Sequence, residues 1–137
     1  MLFRSDTAVQ VIGACLQANP DLDGIIGAQS VSGVAAVTAA REAGKLEDIK
    51  IVAVDRDTPT LEAIEAGEIY ATVCGKQYSE VYFATKILYD YNHADLKLSK
   101  DDKAAGLISV PSYVDLGSIE ITQDNVEYFL DFQYEVK

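Results

Sequence analysis

The sequence predicts an α/β domain: a three-layer sandwich in which a mainly parallel sheet is covered by helices. Three observations point there. Short apolar runs without polar alternation, such as GIIGA (residues 24–28) and IKIVAV (residues 49–54), fit strands covered on both faces. Helical patterns of ten or more residues separate such runs, which calls for crossover connections and parallel pairing. With 49 % hydrophobic residues in 137, the chain holds enough apolar material for one packed core.

In chain order, Ser5 caps a first helix running to Ala18, with Ala8, Val11, Ile12, Cys15 and Leu16 on its apolar stripe. Pro20 biases Asn19 away from the helical region and ends it. The GIIGA strand follows, then a polar turn, Gln29-Ser30-Val31-Ser32. From about Ser32 the segment GVAAVTAAREA is helical, and Gly44 takes the position just past its end. Its alanines imply close packing against the sheet. A second strand over residues 49–54 runs into Asp55. Thr58 is then expected as N-cap and Pro59 as first helical residue, with Leu61 and Ile64 facing inward and Gly67 closing the helix.

Residues 69–74 form the third strand and Gly75-Lys76-Gln77 a turn. Residues 78–91 form a helix whose apolar face holds Val81, Ala84, Ile87, Leu88 and Tyr91. A charged connection covers 92–105. Strand candidates follow at 106–110 and 117–121, and a last helix, capped by Thr122, carries Val126, Phe129 and Leu130.

Composition excludes several functions. The formal net charge of −11, with no local Lys/Arg cluster, repels a phosphate backbone and argues against nucleic acid as a partner. Cys15 and Cys74 lack metal spacing and a CxxC motif, so two unpaired, mostly buried thiols are expected. The single histidine, His93, has no companion for a zinc site or a nucleophile–base pair. No phosphate-cradling GxxxxGK[ST] or GxGxxG occurs, and no apolar run reaches 18 residues. The opening MLFRSD is not expected to act as a signal peptide, because no apolar stretch follows its arginine. No cofactor, metal or catalytic group is expected.

In parallel α/β sheets, ligands collect where strands end and helices begin. Three strand ends define that rim: Ala28-Gln29-Ser30, Asp55-Arg56-Asp57 and Cys74-Gly75-Lys76. A carboxylate there can accept hydrogen bonds from two neighbouring hydroxyls of a sugar, strengthened by its charge. Gln29 is equally open to simple turn chemistry, and Asp55 to capping or an ion pair with Arg56. Asp55 and Asp57 alone do not complete a metal shell. A receiver-type phosphoacceptor domain would need an acidic pair where Gln29-Ser30 stands.

With those residues in place, the segment from ANPDLDGIIGAQS to EAGEIYATVCGKQY resembles the C-terminal lobe of type I periplasmic sugar-binding proteins. These are the ribose-binding-protein-like group, whose lobe architecture LacI-type regulators share. The ordered elements "NPD-D-I", "AGK…IK-V--D" and "AI-AGEI-ATV", and the tail VPSYVDLGSIEITQDNV, carry the likeness over nearly the whole chain. The resemblance implies a ligand site on Gln29, Asp55 and Gly75, where the family often has asparagine, aspartate and glutamine. Only Asp55 keeps the usual type. Gln29 keeps the amide on a longer arm, and Gly75 loses the side chain, so that neighbouring Lys76, with Gln77 beside it, is expected to reach into the site in its place. The departures leave a sugar, a modified sugar, a polyol or another small polar molecule open as ligand.

The resemblance further implies that residues 1–137 are a single, incomplete lobe of a two-lobe receptor, and that about 78–110 would cross to the absent first lobe. The expected function is solute binding by hinge closure for a sugar-type ABC import system or a sensor. The full-length parent would be periplasmic or anchored at the extracellular surface, and the chain alone would form a homo-oligomer. The alternatives are the effector domain of a LacI-type regulator and, from another class, a free-standing flavodoxin- or receiver-like domain.

Overall fold

A computed structural model describes residues 5–130 and Phe132. The chain divides into two compact units: Met1–Cys74 with Ile119–Lys137, and Gly75–Ser118. The elements are α1 (Ser5–Ala18), β1 (Gly24–Ile26), α2 (Ser30–Glu42), β2 (Lys50–Val54), α3 (Thr58–Glu65), β3 (Ala71–Gly75), α4 (Gln77–His93), β4 (Ser118–Ile121) and a single 3₁₀ turn, Val126–Tyr128. The predicted α/β class holds. The sheet order is β1-β2-β3-β4, and β1/β2 and β2/β3 pair in parallel.

The first unit is built around β2. Ile51 and Ala53 are fully buried on it, and Ile64, Ile69, Ala36 and Ala40 complete the same core. Helix α2 packs on β2, and its buried face is almost entirely alanine, as its sequence implies. Gly33 explains how close the two come. A β-carbon added there would sit 2.6 Å from Ala53 Cβ, so even alanine, the better helix former by about 1 kcal/mol, does not fit. Helices α2 and α3 both close with a left-handed glycine, Gly44 (φ 67°) and Gly67 (φ 77°). In each, the residue after the glycine donates its N–H back into the last turn, Lys45 to Ala40 (2.8 Å) and Glu68 to Ala63 (2.9 Å).

Several expectations are corrected. The packed stripe of α1 is Val9, Ile12 and Leu16, whereas Val11 is 64 % exposed and Cys15 faces outward. Residues at 9, 12 and 16 follow the helical period equally well, and it is this row that meets α2. Cys74 alone is a buried thiol. The N-cap of α3 is Asp57 rather than Thr58, and Asp57 Oδ1 accepts the hydroxyl of buried Thr60 at 3.0 Å. The helix expected from Thr122 is only the 3₁₀ turn. Asn125 Oδ1 accepts the Thr122 N–H at 2.9 Å and diverts the backbone into a turn, while Val126, Phe129 and Leu130 still reach the core.

In the second unit, α4 runs over the predicted segment, but none of its residues is buried. The strand expected at 106–110 is absent. Residues 102–106 form a turn that ends on left-handed Gly106 (φ 68°), and Leu107 N–H donates back to Asp102 C=O at 2.8 Å. A strand needs a partner edge to satisfy its backbone, and the described residues 76–117 contain none. The carboxylate of Asp102 holds the preceding loop, accepting Leu98 N–H at 3.0 Å and the Ser99 hydroxyl at 2.7 Å. Those bonds hold its carboxyl below the ordinary range.

Candidate functional site

Parallel register decides which strand ends share a rim. Ile26 pairs with Val52, and Val54 with Val73, so β1, β2 and β3 all finish at one end of the sheet. Gln29 follows β1 as the N-cap of α2, exposed, with an extended backbone and no capping bond from its side chain. Its amide is therefore not used in turn chemistry. Asp55 follows β2 directly and is half-buried. Asp55 does not cap α3, because Asp57 holds that position. Two of the predicted residues thus leave neighbouring strands at the same end.

Asp55 has a left-handed backbone, φ 74°. A residue with a β-carbon adopts this at a cost of about 1–2 kcal/mol, although aspartate does so more readily than most. The conformation is held from β3. Asp55 N–H donates to Val73 C=O at 3.1 Å, and Asp55 C=O accepts the Thr72 hydroxyl at 2.6 Å. Thr72 is fully buried and Asp55 half-buried, so the bond is partly shielded from water. Strain maintained by a buried polar contact is a mark of functional positions.

Cys74, on β3, lies close enough to feel both neighbouring charges. Burial pushes its thiol up, the positive charge of Arg56 opposes this, and the Asp55 carboxylate adds to it. The amino ends of α2 and α3 open at the same rim, and neither has an acidic residue in its first turn. The first N–H groups of α2 remain a source of positive potential there, whereas the Asp57 carboxylate at the N-cap of α3 offsets that of α3. The arrangement offers an amide, a carboxylate and helix-end donors, a set suited to hydroxyl groups.

Gly75 and Lys76 belong to the second unit. Gly75 is the last residue of β3, and Lys76 is the exposed N-cap of α4. One residue was missed by sequence reasoning. The Glu80 carboxylate lies over Gly75, in the space that a β-carbon there would take. The spacing of five residues across a helix start was the available signal, with Glu80 in the first turn of α4.

A depression of about 560 Å³ lies at the other end of the strands, lined by Leu46, Glu47, Ile69, Tyr70 and Gln123 among others. Gln123 spends its amide on Glu65 C=O at 3.2 Å, beside Gly67. Among the described residues no cluster of His, Cys, Asp or Glu could hold a metal ion. No helix among them is long and apolar enough to cross a membrane.

Comparison with known proteins supplies the context for this rim. Residues 4–95 match the family model described as a periplasmic binding protein domain. An arabinose-binding protein from Geobacillus stearothermophilus shares the fold with a TM-score of 0.77 at 27 % identity, over 91 % of this chain and 41 % of its own. A sugar-binding protein of a sugar ABC transporter from Bacillus halodurans gives 0.79 at 26 %, over 91 % and 43 %. A periplasmic solute-binding protein from Actinobacillus succinogenes with bound D-allose gives 0.70 at 18 %, over 93 % and 40 %, a likeness of fold. The chain spans about two-fifths of the length of these structures.

Proposed function

The chain belongs to the periplasmic binding protein domain family, and from that premise we propose that it is the ligand-gripping lobe of a solute receptor for a small polyhydroxylated molecule, a sugar or polyol. The single observation that carries this reading is Asp55: a half-buried carboxylate, held in a left-handed conformation at the end of β2, on the same sheet end as the uncommitted amide of Gln29. A carboxylate in that position accepts two adjacent hydroxyls at once, and no bond is made or broken. The lobe therefore works as a binder and not as an enzyme. Its natural setting is the periplasm or the outer surface, delivering ligand to an ABC permease or a sensor. Its likeness to an arabinose-binding protein and to the sugar-binding protein of a sugar ABC transporter favours this over the effector domain of a transcriptional regulator.

Closure of a second lobe over Asp55 supplies the remaining contacts, and residues 78–110 make the crossing to it. The second unit supports this, since α4 buries none of its residues while Val81, Tyr82, Leu88 and Tyr91 are each more than half exposed. Ligand selects the closed state only through contacts to both lobes. Isothermal calorimetry with this chain alone should accordingly give only weak binding, on the order of millimolar, for pentoses, hexoses or sugar alcohols. A micromolar dissociation constant would show that one lobe suffices. The same apolar surface is expected to pair with a second copy, giving a dimer mass in light scattering across a concentration series. A constant monomer mass would remove that expectation.

A further inference from the structure

Building on the reading of Asp55 as the ligand-gripping carboxylate, we infer that Thr72 is the positioning residue of the site, its hydroxyl holding the Asp55 backbone in the conformation that aims the carboxylate. Thr72 touches no ligand in this account. It is fully buried on β3, and its Oγ1 donates to Asp55 C=O at 2.6 Å. The next residue of β3, Val73, accepts Asp55 N–H at 3.1 Å. Two consecutive positions of one strand therefore hold both backbone polar groups of Asp55, one through a side chain and one through the backbone.

That double hold matters because Asp55 sits at φ 74° without being glycine. Left alone, a residue with a β-carbon returns to negative φ. Such a return rotates the Cα–Cβ bond relative to the strand and swings the carboxylate away from its present direction. The backbone bond from Val73 resembles ordinary sheet pairing and does not by itself fix φ. The hydroxyl of Thr72 acts on the other side of Asp55, where the chain turns out of the sheet. Valine at 72 keeps the shape of the side chain and removes the donor, while serine keeps the donor and removes a methyl group.

The test is a ligand-free nuclear magnetic resonance measurement of φ at Asp55, from the HN–Hα coupling and backbone shifts, in the wild type, Thr72→Val and Thr72→Ser. Core amides of Ile51 and Ile64 report whether each variant is folded. The wild type and Thr72→Ser should give a left-handed Asp55, and Thr72→Val should lose it. In the double variant Thr72→Val with Asp55→Gly, the left-handed signature should return, because glycine needs no support. A left-handed Asp55 in folded Thr72→Val would overturn the inference. So would a negative φ at Asp55 in the wild type, which decides the matter even if Thr72→Val does not fold. In a sugar titration Thr72→Val should bind about tenfold more weakly than the wild type and Thr72→Ser about equally, one decade corresponding to about 1.4 kcal/mol. Absence of any sugar response in a wild type whose Asp55 is left-handed would instead count against the sugar-binding reading, so the two failures are distinguishable.

Discussion

Ile51→Ala is expected to lower the stability of the folded chain by about 2–5 kcal/mol, a large part of what a domain of this size possesses. Ile51 sits in the middle of β2, fully buried, opposite Ile25 on β1, and its carbonyl accepts Tyr70 N–H at 2.8 Å just ahead of β3. Truncation removes the apolar contacts of three buried carbons and leaves a cavity between strands whose backbones are fixed by pairing. The alanine-rich face of α2 cannot move in to fill it, because Gly33 and Ala53 already meet at the limit of approach. A urea titration followed by circular dichroism measures the loss. A midpoint unchanged from the wild type would mean that β2 is not the centre of the core. An exposed counterpart, Val11→Ala on α1, should change little.

The second large effect concerns ligand. Asp55→Asn should leave the fold intact, since asparagine also adopts left-handed conformations readily. It should weaken sugar binding by about ten- to a hundredfold, because a charge-assisted hydrogen bond is replaced by a neutral one and about 1.5–3 kcal/mol is at stake. Asp55→Gly relieves the backbone strain and removes the carboxylate. Its stability should therefore equal or exceed that of the wild type while its sugar response disappears. Thermal unfolding together with ligand titration on both variants separates the two effects. Retained binding in Asp55→Gly would assign the grip to other residues.

The first unit was largely legible in the sequence because its determinants are local. Apolar runs gave the three parallel strands, Pro20 marked the end of α1, and Gly44 and Gly67 marked the ends of α2 and α3. The rim followed from topology, since parallel strands put Gln29 and Asp55 at one end of the sheet. What escaped depended mostly on tertiary partners and in one place on local turn chemistry. The stripe of α1 was misjudged because two rows of the helix are apolar and only one meets α2. The strand at 106–110 was expected from apolar composition, yet composition supplies no partner edge. The turn chemistry of Asn125 outweighed the helical pattern after Thr122. The left-handed state of Asp55 and its hold by Thr72 join residues 17 apart in sequence, and no local motif announces them.

Strand ends, helix starts and one strained acid together make a claim about location: polyhydroxylated ligand meets this chain at the carboxyl ends of β1 and β2. Amide-resolved chemical-shift titration of the isotope-labelled protein with a panel of pentoses, hexoses and sugar alcohols tests it most directly. Saturable shifts centred on Gln29, Asp55 and Arg56, with Gly67 and Gln123 at the far end unchanged, are the predicted result. Shifts gathered instead around Gly67, Tyr70 and Gln123, or none from any member of the panel in a folded protein, would contradict it.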